Sequence, residues 1–308
     1  MSGVLSGFFI VWALIGVGWL TARTGVLGPH ARYVLNRTTF FLASPALVLV
    51  GLLQSEPAEV LSTPMLVAAL AGLSTGAVLL VALRVLTSRR GVDLVVAAIS
   101  GSMVNGANMG FPIALYVLGD ISHAIPVILF QQAVYTPLYL FVLHSLTRER
   151  RPGPAGVART ILANPTIIAS AVGLALSAAG VQLPEVALQP VRSLADMAIP
   201  AMLLAYGLSL HGSRPFARDD GYRGLIAASS TTKLVVMPLI ALGIGAALGL
   251  RGQDLYEVVV MAALPTAQNV FVAAARYEAA ENLARDTVLV TTVGTVVVLM
   301  VLAVALGA

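Results

Sequence analysis

Apolar residues run along this chain in long blocks, neither alternating as in a half-buried strand nor confined to one face as in a surface helix. A helix that crosses a bilayer needs roughly 20 mostly apolar residues. Ten such stretches are legible, at 3–22, 34–54, 64–87, 93–119, 123–146, 160–180, 189–211, 222–250, 254–276 and 285–307, separated by short polar or charged breaks. The pattern predicts an all-α polytopic membrane protein of ten transmembrane helices with no room for a soluble domain. The first stretch has no positive residue ahead of it and no small-x-small exit site before Arg23, so it is expected to remain as a span and not to leave as a signal peptide.

Composition removes the competing classes. The chain is 58% hydrophobic and 10% charged, with a mean hydropathy of +0.92, where soluble proteins carry about 25% charge. A water-soluble enzyme, a disordered chain and a coiled coil are excluded. A net charge of +4 and a pI near 9.7 would suggest nucleic acid, but the basic residues sit in connectors. Arg23, Arg32 and Arg37, then Arg84, Arg89 and Arg90, then Arg148, Arg150, Arg151 and Arg159, then Arg214, Arg218 and Arg223, and finally Arg276 and Arg285 mark alternate connectors, while the opposite ones hold Arg192 and Arg251. Basic residues are retained on the cytoplasmic side, so both termini are expected outside, in the periplasm of a bacterial inner membrane. Cysteine is absent and histidine occurs four times, which argues against thiolate metal sites and a metal enzyme. No nucleotide motif is present, and no cofactor or nucleic-acid partner is expected.

Ten spans divide into two sets of five, and an odd set must re-enter the membrane inverted, the pattern of transporter repeats. Residues 1–150 and 151–308 are the expected halves. At an offset of 155, Arg37, Ala43, Pro45, Ala46 and Leu49 recur as Arg192, Ala198, Pro200, Ala201 and Leu204. At an offset of 161, Asp93 and Leu94 meet Asp254 and Leu255, Val104 meets Pro265, Asn105 meets Thr266 and Asn108 meets Asn269.

The last alignment joins the two least helical spans. Span four contains Asn105-Gly106-Ala107-Asn108-Met109-Gly110-Phe111-Pro112 and span nine contains Leu264-Pro265-Thr266-Ala267-Gln268-Asn269. Proline removes a backbone donor and glycine loosens the chain, so breaks are expected at Gly106, Gly110, Pro112 and Pro265, where the freed groups must line a cavity or meet other helices. A packing seam through Gly106 and Gly110 is the alternative. Half-helix amino ends would offer N–H groups to an anion. Asn105, Asn108, Thr266, Gln268 and Asn269 are therefore candidate substrate-binding residues, joined by Gln131 and Gln132 of span five, which lie beside Tyr135 and either line the cavity or bond a neighbouring helix. Lys233 is the chain's one lysine and falls about ten residues, roughly 15 Å, inside span eight. A charge at that depth needs a partner or an aqueous cavity. Lys233 is a counter-charge for an anionic substrate, an internal cation that fixes the broken helices as a bound sodium would, or a structural lysine bonded to freed carbonyls. Carboxylates lie near span ends, so a sodium cage is poorly supported. Gly72-Leu73-Ser74-Thr75-Gly76 has the spelling of a nucleophile elbow but lies inside an apolar helix, which removes that chemistry.

Taken in order, Phe41-Leu42-Ala43-Ser44-Pro45-Ala46, Asn105 with Gly110-Phe111-Pro112, Asn164-Pro165, Pro200 with Gly207-Leu208, Lys233-Leu234 with Pro238, and Leu264-Pro265 with Phe271-Val272, Ala274 and Tyr277 resemble the auxin efflux carrier family over essentially the whole chain. That family includes plant PIN proteins and bacterial malate and malonate permease-like proteins. The resemblance implies helices four and nine crossing at their breaks, a scaffold of helices one, two, six and seven, and a mobile transport domain of helices 3–5 and 8–10 working as an elevator. It also implies a small organic anion held near the crossing, with Asn105 matching the family's helix-four asparagine. Val104 stands where plant members carry proline, and the 5–6 connector lacks their long cytosolic insert. The expected function is secondary transport of carboxylates such as malate, malonate or auxin-like acids, the alternative being an anion-binding membrane sensor or channel. Coupling to protons or sodium and assembly as a homodimer are left open.

Overall fold

The computed structural model describes residues 2–54, 63–147, 162–181, 183–212 and 221–306, and all statements below concern these residues. Arg148, Arg150, Arg151, Arg159, Arg214 and Arg218, and the boundary between the expected halves, lie outside them.

Helices occupy each expected apolar stretch and no strand is present among the described residues. They are α1 (Ser2–Thr24), α2 (Ala31–Leu53), α3 (Thr63–Leu86), α4 (Val92–Ser100), α5 (106–118), α6 (Ile121–Thr147), α7 (Pro165–Ala178), α8 (Glu185–Leu210), α9 (Arg223–Ala247), α10 (Gly252–Ala262), α11 (Gln268–Arg276) and α12 (Glu281–Ala305). Among the described residues α2, α3, α6, α8, α9 and α12 are long and apolar enough to cross a membrane, and Phe9–Thr24, Asn108–Leu118 and Pro165–Ala178 are shorter apolar helices. Span four is divided into α4 and α5, and span nine into α10 and α11.

Two sets of contacts can be distinguished, and α5 packs on α1 and α8 to join them. In the first, α1, α2, α7 and α8 lie against one another. Gly18 and Gly207 bring the α1 and α8 backbones into direct contact, for a Cβ on Gly207 would meet the Ile15 carbonyl oxygen and one on Gly18 the Leu204 carbonyl oxygen. Small residues permit such close approach where dispersion, not water, drives helix association. In the second, α3 packs on α4, α6 and α9, and α12 packs on α4, α9 and α11. Three polar contacts tie the groups together: Asn164 Nδ2 donates to Gln132 Oε1 at 3.0 Å, Gln268 Nε2 donates to Ser209 Oγ at 3.1 Å, and Tyr206 bonds Thr292. Asn164 also caps α7, accepting from the Thr166 and Ile167 amides ahead of Pro165, as a cap followed by a first-turn proline requires.

The break in span four lies earlier than the glycine and proline pattern suggests. The chain leaves α4 after Ser100 and regains helix at Gly106, so Gly110 and Pro112 are inside α5 and do not interrupt it. The reason is winding. Residues 106–110 and 114–118 form wider π turns, in which the Asn105 carbonyl accepts from both Met109 and Gly110 amides, and this looser ladder absorbs the one donor that Pro112 lacks. Pro265, by contrast, lies within the break between α10 and α11.

Candidate functional site

The two breaks meet. Val104 and Thr266 form an antiparallel bridge, in which the Asn105 amide donates to the Pro265 carbonyl at 2.7 Å and the Ala267 amide to the Met103 carbonyl at 3.0 Å. A broken helix exposes up to four carbonyls and four amides at the break, and two chains that break at one level can satisfy part of each other's deficit. The helix ends bracket the crossing in register: Ser100 and Ala262 end the first halves, and Gly106 and Gln268 begin the second, each pair 162 positions apart. That is one position more than the offset matched by residue identity: by helix-end register Asn105 corresponds to Ala267, while across the bridge it meets Pro265.

Side chains from the surrounding helices complete the accounting. Ser229 Oγ donates to the Ala97 carbonyl at 2.9 Å, Ser102 Oγ to Ala98 at 2.7 Å and Thr266 Oγ1 to Ser100 at 2.6 Å. On the other break, Lys233 Nζ donates to the Ala262 carbonyl at 2.6 Å and Thr295 Oγ1 to Ala263 at 3.2 Å, while the Thr266 amide donates to Thr291 Oγ1 at 3.0 Å. Lys233 and Thr266 are both fully buried and face these carbonyls. Neither lines either of the two cavities described below. A cation at the carboxyl end of a half-helix is favourable because the aligned peptide dipoles leave negative charge there.

The amino ends of α5 and α11 border a small chamber of about 10 Å³, room for about one water molecule, lined by Asn105, Gln131, Gln132 and Asn269 with Met103, Val104, Ile128 and Ala267. Four of the expected carboxamides thus converge. Asn105 caps α5 by accepting from the Asn108 amide at 3.3 Å, and its Nδ2, at 2% residue exposure, has no hydrogen-bond partner. Asn108 and Gln268 stand beside it as a pair, Nδ2 to Oε1 at 3.5 Å. A buried donor without a partner costs about 1–3 kcal/mol, and a site for an acceptor is the natural reading.

Val104 and Gln131 also line a much larger cavity of about 550 Å³. It runs from the exposed Asp120 and Asp254, at helix ends where basic residues are scarce, to the buried Ser102 and Val104 at the crossing. Its walls are mostly apolar, among them Val67, Ala71, Val127, Phe130 and Met237. Ser102 receives the Tyr135 hydroxyl there, and Gly76 of α3 leaves the room, since a Cβ would lie 2.8 Å from that hydroxyl. The place of Ser102 was not read from sequence; the run Ser100-Gly101-Ser102 ahead of Asn105 was the available signal. Near the opposite ends of α3 and α9, Arg89 bonds Asp93 at 3.1 Å and the Gly221 carbonyl at 2.8 Å.

The family model described as "Membrane transport protein" matches residues 4–153 and 155–303. The chain belongs to the membrane transport protein family. It is also similar to a protein of Rhizobium meliloti (strain 1021) named "Putative malonate transporter", with 29% identity over 300 residues, which is 95% of this chain and 91% of that protein. Membership makes this an integral membrane transporter with a small-molecule substrate, consistent with the apolar helices and with the family resemblance carried by the residues of spans two, four, eight and nine.

Proposed function

We propose that this chain is a secondary transporter of small organic acids, with malonate, malate and auxin-like carboxylates as the first substrates to try, in a bacterial inner membrane with both termini outside. The observation that carries the reading is the Asn105 side-chain Nδ2, unpartnered among the described residues, at the convergence of two half-helix amino ends and four carboxamides. Those groups donate hydrogen bonds without adding charge, which suits a carboxylate that must be released again. Asn108 and Gln268 extend the site, and Lys233 acts as the internal cation that holds the Ala262 end of α10.

In this reading the ten apolar stretches are ten spans in two inverted repeats of five. The α1, α2, α7 and α8 group is the scaffold, and the rest of the molecule moves past it as an elevator. The Gln132–Asn164, Gln268–Ser209 and Tyr206–Thr292 contacts are the ones such motion must exchange. The cavity, entered from the arginine-poor side, belongs to an outward-facing state.

Uptake of radiolabelled malonate and malate into proteoliposomes tests this. Saturable uptake that cold carboxylates compete away, and that Asn105→Ala abolishes in a normally folded protein, is the expected result. Absence of carboxylate uptake and exchange by the wild type across a panel of mono- and dicarboxylates would overturn the proposal.

A further inference from the structure

The mouth of the large cavity carries charge of an unexpected sign. Asp120, Asp254 and Glu257 line it, and among the described residues no lysine or arginine does. An organic anion entering there meets three carboxylates of its own sign, a repulsion that solvent weakens at the exposed Asp120 and Asp254 and that is strongest at the less exposed Glu257. The basic group present is His123, whose Nδ1 lies 3.0 Å from Glu257 Oε2, joining the first turn of α6 to α10. This pair is neither a surface ornament nor sealed, the side chains being 28% and 14% exposed.

We propose that the His123–Glu257 pair is a proton-binding site that couples proton movement to substrate movement through the cavity. The inference rests on the carrier reading above and names its coupling ion. With Nδ1 held by Glu257, Nε2 is the nitrogen that takes up and gives back the proton. Uptake converts a neutral imidazole beside a carboxylate into an imidazolium–carboxylate pair and lowers the negative charge of the mouth by one unit; release reverses this, and no bond other than N–H is made or broken. Histidine suits the task because its ordinary titration range spans pH 5 to 8.

The surroundings add no competing cation. His123 interacts electrostatically with Glu257, Asp120 and Asp254. α10 also presents Tyr256, and α5, packed on the same turn, presents Tyr116, while the described parts of α2, α3 and α9 that face α6 and α10 bring no ionisable side chain. Arg251, at the start of α10, is turned to the Ala246 and Leu250 carbonyls at 2.7 Å. Both α6 and α10 belong to the group outside the scaffold, so the proton site would travel with the substrate site and the two loads would cross together.

The test uses wild type, His123→Gln and Glu257→Gln reconstituted in proteoliposomes, with labelled malonate as the probe. Wild-type uptake is expected to rise at least fivefold under an acid-outside gradient, to fall back with a protonophore, and to shift the pH reported by an entrapped dye. Both variants should lose the gradient response and the dye signal while retaining malonate-for-malonate exchange, which needs no net proton movement and shows that the variants are folded. Gradient stimulation that persists in either variant, or a wild type whose uptake ignores the gradient while exchange proceeds, would overturn the proton site and leave the carrier reading standing. A wild type with neither uptake nor exchange of any carboxylate would sink the carrier reading itself.

Discussion

Ser100 and Ala262 hold equivalent places, each the last residue of a half-helix at the crossing, yet their carbonyls are satisfied by different chemistry. Ser100 receives a neutral hydroxyl from Thr266, and Ala262 receives the ammonium of Lys233. The same asymmetry runs through both breaks. The α10–α11 break is bound by α9 and α12 through Lys233, Thr291 and Thr295. The α4–α5 break is held at its carbonyl side but leaves the Asn105 side-chain Nδ2 without a partner among the described residues. In the proposed reading, one break is an anchor and the other is an open donor. Two chemically similar interruptions can therefore serve opposite ends, because what fixes the role is the set of side chains that neighbouring helices bring to each carbonyl and amide.

The anchor can be attacked first. Lys233→Ala removes both the volume and the donor at a fully buried position, and should destabilise the protein by about 3–5 kcal/mol through the cavity and the orphaned Ala262 carbonyl. Thermal unfolding in detergent micelles should show this, with Lys233→Met falling less because it keeps most of the volume. A Lys233→Ala protein that melts like the wild type but no longer binds substrate would transfer Lys233 from the anchor to the binding site.

The open donor should respond in the opposite sense. Asn105→Asp keeps the oxygen that caps α5 but places a negative charge where the amide stood, so carboxylate affinity should fall by ten- to a hundredfold, the equivalent of about 1.5–3 kcal/mol for a lost hydrogen bond to a charged group. Calorimetric titration with malonate would read it. Equal affinity in wild type and Asn105→Asp would remove Asn105 from the site.

The smallest effect is expected where the two breaks lean on each other. Thr266→Val deletes the hydroxyl bonded to Ser100 but keeps the backbone bridge through Asn105 and Ala267, and should cost about 1 kcal/mol in stability. A loss as large as that of Lys233→Ala would mean that the hydroxyl, and not the bridge, holds the crossing together.

Much of this was legible in the chain. The apolar blocks anticipated the helices to within a few residues at most ends, since hydrophobic length is a local property. The carboxamides near the breaks pointed to the chamber because polar groups at depth must be gathered around a cavity. The exact break in span four was not legible. Pro112 and Gly110 look like interrupters, but π winding accommodates them, and the real interruption is at residues 101–105, where Ser102 bonds back to the Ala98 carbonyl and the bridge to span nine takes over the ladder. Likewise the offset of 161 that residue identity favours differs by one from the register of the helix ends, because identities in an alanine- and valine-rich chain are less constrained than the hydrogen bonds that end a helix.

By itself the sequence determined that the chain is embedded in a membrane, where its helices run, and that Asn105, Gln131, Gln132 and Asn269 are polar at a depth where polarity needs a reason. Those facts follow from the cost of moving each residue out of water, which depends on the residue and its neighbours in the chain. Only the tertiary structure decided that Lys233 is spent on the Ala262 carbonyl, that Thr266 is turned to Ser100, that the Asn105 side-chain Nδ2 is left without a partner among the described residues, and that His123 meets Glu257 at the cavity mouth. Partnership between residues from 29 to 166 positions apart is a property of packing, and a buried donor reveals its purpose only when every other acceptor around it has been assigned.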